Sequence, residues 1–133
     1  MTKKIIFSDK APKPVGPYSQ AVRAGQLVFC AGQVPIDPAS GKITATDISA
    51  QTEQVIKNIQ AVLAAENLTL ENVVKTTVFM KDLQDFAKMN DVYARHFKAE
   101  TAPARSTFQV ARLPLDALVE LEVIAAADQE RTA

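Results

Sequence analysis

The stretch Leu118 to Ala126, "LVELEVIAA", reads as a β-strand although it carries two carboxylates. A strand sends alternate side chains to opposite faces. Val119, Leu121, Val123 and Ala125 therefore share one face, and Leu118, Glu120, Glu122, Ile124 and Ala126 share the other. The first set is core. The second is too apolar for plain solvent and too charged for a sealed interior. An interface between subunits meets both demands, because a carboxylate there can face a wet pocket while its neighbours bury apolar area. A solvent-facing strand with scattered apolar residues is the alternative that composition leaves open.

Just upstream, "ARSTFQV", Ala104 to Val110, alternates Arg105, Thr107 and Gln109 with Ser106, Phe108 and Val110, so the first three point together. Ala102, Pro103, Ala104 and Ser106 around Arg105 are small or rigid. A planar guanidinium in such surroundings can sit at a pocket wall and take a carboxylate in bidentate geometry. The structural alternative is an Arg105 that pairs with Glu120 or Glu122 across the sheet, and spacing alone does not separate the two.

Further out, Lys4 to Phe7 is a short strand, and Ala11 to Pro17, with three prolines and Gly16, is an irregular extended connection. Gln20 to Arg23 and Leu27 to Ala31 read as two strands around Ala24-Gly25. Gly32 to Thr46 reads as a long loop. Thr46 or Asp47 caps a helix whose Ile48, Thr52, Val55, Ile56, Ile59, Val62 and Leu63 fall on one side, and Asn67 is its left-handed stop. Val73 to Met80, rich in β-branched residues, is a strand. Asp82 caps a second helix with Phe86, Met89, Tyr93 and Phe97 on one face. The order predicts an α+β fold: a mixed sheet of about six strands with two helices on one face and no intrachain cover on the other.

The 133 residues suit a single domain, 1–133, with a flexible tail, "DQERTA", over about 128–133. Lys plus Arg and Asp plus Glu both total 15, and neither sign forms a block, so no polyanionic partner is implied. No leader and no membrane span are expected, since the N-terminal apolar run is too short for either. A single cysteine, Cys30, excludes an internal disulfide, gives no metal-ligand spacing and fits a reducing cytoplasm. No metal is expected.

Other candidates have simpler explanations. Cys30 sits in an apolar strand and His96 follows Arg95 on a helix, which favours packing and a solvated face over a nucleophile and base. Tyr93 and Phe97 recur on a core face. Tyr18, beside Gly16-Pro17, can line a site or wedge against the sheet, and Asn90 can bond locally within its helix. Asp37-Pro38 and Ser40-Gly41 are turn chemistry.

Taken together, "GPYSQAV", "FCAGQVPIDPASG", "VVKTTVFMKDLQDFAKMNDVYARHF" and "PARSTFQVARLP" closely resemble the Rid, or YjgF, family of reactive intermediate deaminases. The resemblance covers about residues 14–127 with its motifs in order. It implies a chorismate-mutase-like fold and a homotrimer with helices outside and sites in the clefts between subunits. It also implies cofactor-free hydrolysis of 2-imino acids and their enamine tautomers, such as 2-aminoacrylate, to 2-keto acids and ammonia. By that resemblance Arg105 grips the substrate carboxylate, Glu120 holds or activates water and Tyr18 lines the pocket. Gly32, Asn90 and the backbone at Thr107 match further site positions. Two departures stand out: Ala31 replaces a serine common in well-studied deaminases, and Thr107 replaces a cysteine common in bacterial members.

The chemistry fits those residue types. A protonated imine is already activated, so the protein has mainly to orient the substrate and manage protons. A Glu120 paired directly with Arg105 would be a poor base, because the cation would depress its pKa. The two are therefore expected to reach one wet crevice between copies of the chain from different sides, without touching. Two other functions compete: an RNA-binding or endoribonuclease-type translation inhibitor, and a non-catalytic keto-acid-binding or holdase-like protein. Zero net charge, 6% aromatic content and one histidine weigh against the first.

Overall fold

A computed structural model of the chain describes residues 2–127, so the tail expected at 128–133 lies outside the described residues. Six strands form one mixed sheet: β1 (Lys3–Ile6), β2 (Ala21–Ala24), β3 (Leu27–Gln33), β6 (Val73–Met80), β7 (Ala104–Gln109) and β8 (Val119–Ala126), in the order β1-β2-β3-β8-β6-β7. A separate ribbon pairs β4 (Ile36–Asp37) with β5 (Lys42–Ile43), and the helices are α1 (Ile48–Ala64) and α2 (Phe86–His96). Only β6 and β7 run parallel, and the crossover joining them contains α2. The expected α+β layout is what the chain adopts.

The opening stretch is β8, at the centre of the sheet between β3 and β6. Its Val119, Leu121, Val123 and Ala125 are buried, together with Val55, Ile56, Ile59, Val62 and Leu63 of α1 and Met89, Val92 and Tyr93 of α2. Alternation on β8 matched to helical spacing on α1 and α2 thus builds one core on one side of the sheet. The other side has no helix over it among the described residues, and it exposes Ile5 by 54%, Phe29 by 43% and Phe108 by 52%.

Local details follow from single residues. Ala24 pairs with Leu27 across a two-residue turn in which Gly25 takes φ 61°, so the Ala-Gly hairpin forms on the glycine. Asp47 caps α1 by accepting from Ala50 N at 2.8 Å, and Asn67 adopts φ 58° beyond it. The connection expected as an unbroken loop over 32–46 is more ordered than that. β3 runs on to Gln33, and Asn58 of α1 donates its amide to the carbonyls of Val34 (3.2 Å) and Ile36 (2.9 Å), holding the start of the ribbon. Asp82 caps not α2 itself but a 3₁₀ turn, Leu83–Asp85, which leads into it.

Candidate active site

Arg105 lies on β7, the edge strand, directly opposite Thr76 of β6, which itself faces Val123 of β8. Thr76 is fully buried and bonds Tyr93 of α2 at 2.8 Å. Cross-strand partners share a face, so the Arg105 side chain is on the helix-covered side. There its guanidinium donates to Asn90 Oδ1 at 2.8 Å and lies over the rings of Tyr93 (4.6 Å) and Phe86 (5.5 Å). Phe86, Asn90 and Tyr93 reach it together because spacings of four and three put them on one stripe of α2. Among the described residues no carboxylate stands within ion-pair distance of Arg105, so a pair with Glu120 or Glu122 does not form within the chain. An open hollow of about 440 Å³, walled by Tyr93, Phe97, Ala102 and Pro103, adjoins Arg105 and Asn90. Thr107, two residues on, faces the same side, as does Gln109, whose Oε1 accepts from Leu83 N at 2.8 Å.

Glu120 sits in the middle of the sheet, opposite Phe79, on the uncovered face. It is half-buried and has no hydrogen-bond partner among the described residues. Burial, and then the like charge of Glu122 two residues along, raises its carboxyl above the ordinary 4.5. Next to it the pairing of β3 and β8 slips: Cys30 faces Val123 but Gln33 faces Leu121, leaving Ala31 and Gly32 in a bulge. A Cβ at Gly32 would run into the Glu120 carboxylate, lying 2.8 Å from Cδ and 3.2 Å from Cγ, so only glycine lets the backbone approach this closely. Ala31 N donates to Gln20 O at 2.9 Å, which ties the bulge to the segment that carries Tyr18. Tyr18 is 52% exposed, and its hydroxyl accepts a long 3.4 Å bond from Val15 N.

The candidate residues fall into two groups: Arg105 with Asn90 and Thr107 on one face, and Glu120 with Gly32 on the other, beside the bulge to which the Tyr18 segment is tied. A crevice shared by Arg105 and Glu120 within a single chain is thereby ruled out, because the two side chains point to opposite sides of the sheet. Cys30 is buried in its strand as packing predicts, whereas His96, expected on a solvated helix face, is partly buried against α1. Burial pushes the Cys30 thiol up to about 12, and His96 Nε2 meets Glu53 of α1 at 2.9 Å. Sequence reasoning missed the Gly32 bulge and the Phe86 and Tyr93 support of Arg105, although the stripe shared by Phe86, Asn90 and Tyr93 was a usable signal for the latter.

The chain was compared with known proteins. Residues 8–127 match the family model described as Endoribonuclease L-PSP. A RutC family protein of Pyrococcus abyssi is 54% identical over 125 residues, covering 94% of this chain and 98% of its own length. Reactive Intermediate Deaminase A, chloroplastic, of Arabidopsis thaliana is 46% identical over 123 residues, 92% of this chain and 65% of that protein. Among solved structures, E. coli TdcF with bound serine superposes with a TM-score of 0.88 at 42% identity, covering 94% of this chain and 99% of that one. Matches of this length and identity, on a fold with the same two helices and six-stranded sheet, place the chain in the Rid (YjgF) family.

Proposed function

We propose that the protein hydrolyses 2-imino acids and their enamine tautomers, 2-aminoacrylate among them, to 2-keto acids and ammonia, in sites completed between copies of the chain in a homotrimer. The observation that carries this reading is the Arg105 guanidinium, held by an amide and two rings yet left without a carboxylate partner among the described residues. A cation so arranged suits a planar anion such as a substrate carboxylate. The deaminase name of the Arabidopsis relative and the serine bound in TdcF, which carries the same carboxylate and C2 nitrogen, support the substrate class.

In this scheme Arg105 of one copy fixes the carboxylate of a protonated imine, with Asn90 and the backbone at Thr107 beside it. Glu120 of a second copy removes a proton from water as the water oxygen bonds to C2 and the C=N pair moves to nitrogen. The tetrahedral amino alcohol receives that proton at nitrogen and loses ammonia, and the hydroxyl oxygen closes the C=O bond as its own proton departs. A carboxyl raised above its ordinary value is the stronger base, and general-base help is worth about 10² to 10⁴ in rate. Gly32 and Ala31 flank Glu120, and Tyr18 closes the pocket from its loop. Ala31 lacks the serine hydroxyl that could hold water, which leaves Glu120 as the water's main partner. The proposal includes a cytoplasmic setting, where the lone Cys30 thiol stays reduced; no helix among the described residues is long and apolar enough to cross a membrane.

The test generates 2-aminoacrylate with a serine dehydratase and follows keto-acid release with and without the protein. Faster release is expected; an unchanged rate rejects the reading. The description Endoribonuclease L-PSP favours RNA as a second reading, against a net charge of zero. Binding of single-stranded RNA that weakens steeply with salt would support it.

A further inference from the structure

The ring beneath Arg105 is itself fixed. Tyr93 is buried to 6% exposure, its hydroxyl meets Thr76 Oγ1 at 2.8 Å and its ring stacks on Phe97 with centroids 4.4 Å apart and planes 26° apart. We propose that Tyr93 is a positioning residue: anchored by Thr76, its ring sets the plane of the Arg105 guanidinium, so that the N–H edge of that group meets the substrate carboxylate. The inference rests on the deaminase reading above.

A guanidinium seated flat on a ring spends its π face on that ring and keeps its in-plane N–H groups for hydrogen bonds. Asn90 Oδ1 occupies one of those groups, and the rest remain for a bidentate anion. Among the described residues Arg105 has no acid partner and is oriented by Asn90, Phe86 and Tyr93, the Tyr93 ring being the nearer of the two rings, at 4.6 Å against 5.5 Å. Burial raises the Tyr93 phenol, so the ring faces the cation as a neutral π system. Packing alone accounts for a large apolar side chain at this position. It does not account for a ring held by its oxygen to β6 and turned towards Arg105, the cation on the hollow among the described residues.

The experiment measures binding of 2-oxobutanoate and of its methyl ester by calorimetry, and turnover of the dehydratase-generated imine, for the wild-type protein, Tyr93→Leu and Tyr93→Phe. Tyr93→Leu is expected to weaken 2-oxobutanoate about tenfold, which is about 1.4 kcal/mol. The ester, which has no carboxylate charge, should shift less than about twofold, and KM should rise more than kcat falls. Tyr93→Phe keeps the ring but loses the Thr76 bond, and should recover only part of the loss. Tyr93→Met replaces Tyr93→Leu, with the same expectations, if the leucine variant loses its native circular dichroism. Equal losses for acid and ester, or no loss for either, in an active wild-type background overturn the positioning role alone. A wild-type protein that neither binds 2-oxobutanoate nor speeds imine breakdown overturns the deaminase reading, and this inference with it.

Discussion

At the residue scale, the proposed chemistry rests on Arg105, Glu120 and Gly32. Arg105→Ala should reduce kcat/KM for 2-iminobutanoate by about 10- to 100-fold, as expected for a hydrogen-bonded charge, and abolish preference over imines without a carboxylate. A preference left intact in competition assays would remove Arg105 from its role. Glu120 acts as a base only when ionised, and its pKa is raised, so activity should fall as pH drops through a value above 4.5. Glu120→Gln should flatten that acid limb and lower kcat more than it weakens ligand binding. Glu122→Gln should move the limb to lower pH, because the neighbouring charge that helps raise the Glu120 pKa is gone; a pH-rate series on the three proteins checks both. Gly32→Ala should keep the fold, since the flexible end of Glu120 can yield, but cost about 10- to 100-fold in turnover by displacing that carboxylate. Native circular dichroism with unimpaired turnover would show the close approach to be incidental. Period-two alternation set Arg105 apart and placed Glu120 and Glu122 together on one face, and the family resemblance chose Glu120 between them. The Gly32 contact was hidden, because it depends on a slip in pairing between strands almost ninety positions apart.

At the element scale, Glu66 just beyond α1 joins the helix to two strands, with Oε2 2.8 Å from Lys4 of β1 and Oε1 3.4 Å from Arg23 of β2. The Lys4 hydrogen bond, helped by Arg23, holds its carboxyl below the ordinary 4.5. A lowered folded-state pKa contributes stability that is present above the unfolded value and is lost as pH falls through the folded one. Glu66→Gln should therefore flatten that part of the acid unfolding curve, and by a small, salt-sensitive amount, because Lys4 is largely exposed. Urea titrations across the acid range decide it; identical pH slopes for the two proteins would refute the linkage. Elements with an unbroken period were readable from sequence, β8 and α1 most of all. The ribbon at Ile36–Ile43 and the 3₁₀ turn before α2 were not, because each is held by side-chain bonds from elsewhere: Asn58 from α1 in the first case and Gln109 from β7 in the second.

Across the whole molecule, the deciding feature is a sheet with a core on one face and, among the described residues, no helix on the other. Ile5, Phe29 and Phe108 are exposed on that bare face, and Glu120 is set among them. The sequence already posed the question, since the second face of β8 suited neither water nor a core. A second copy is the answer we propose, because it would cover the apolar residues and join the two half-sites. If so, the purified protein should scatter light as a trimer, and a monomer at assay concentrations would leave Arg105 and Glu120 permanently apart. The most direct test mixes subunits. Arg105→Ala and Glu120→Gln proteins, each strongly impaired alone, are unfolded, combined in equal amounts and refolded. In random trimers each crevice takes Arg105 from one copy and Glu120 from the next, so about a quarter of wild-type deaminase activity should return. No recovery in demonstrated mixed trimers would contradict a site shared between copies.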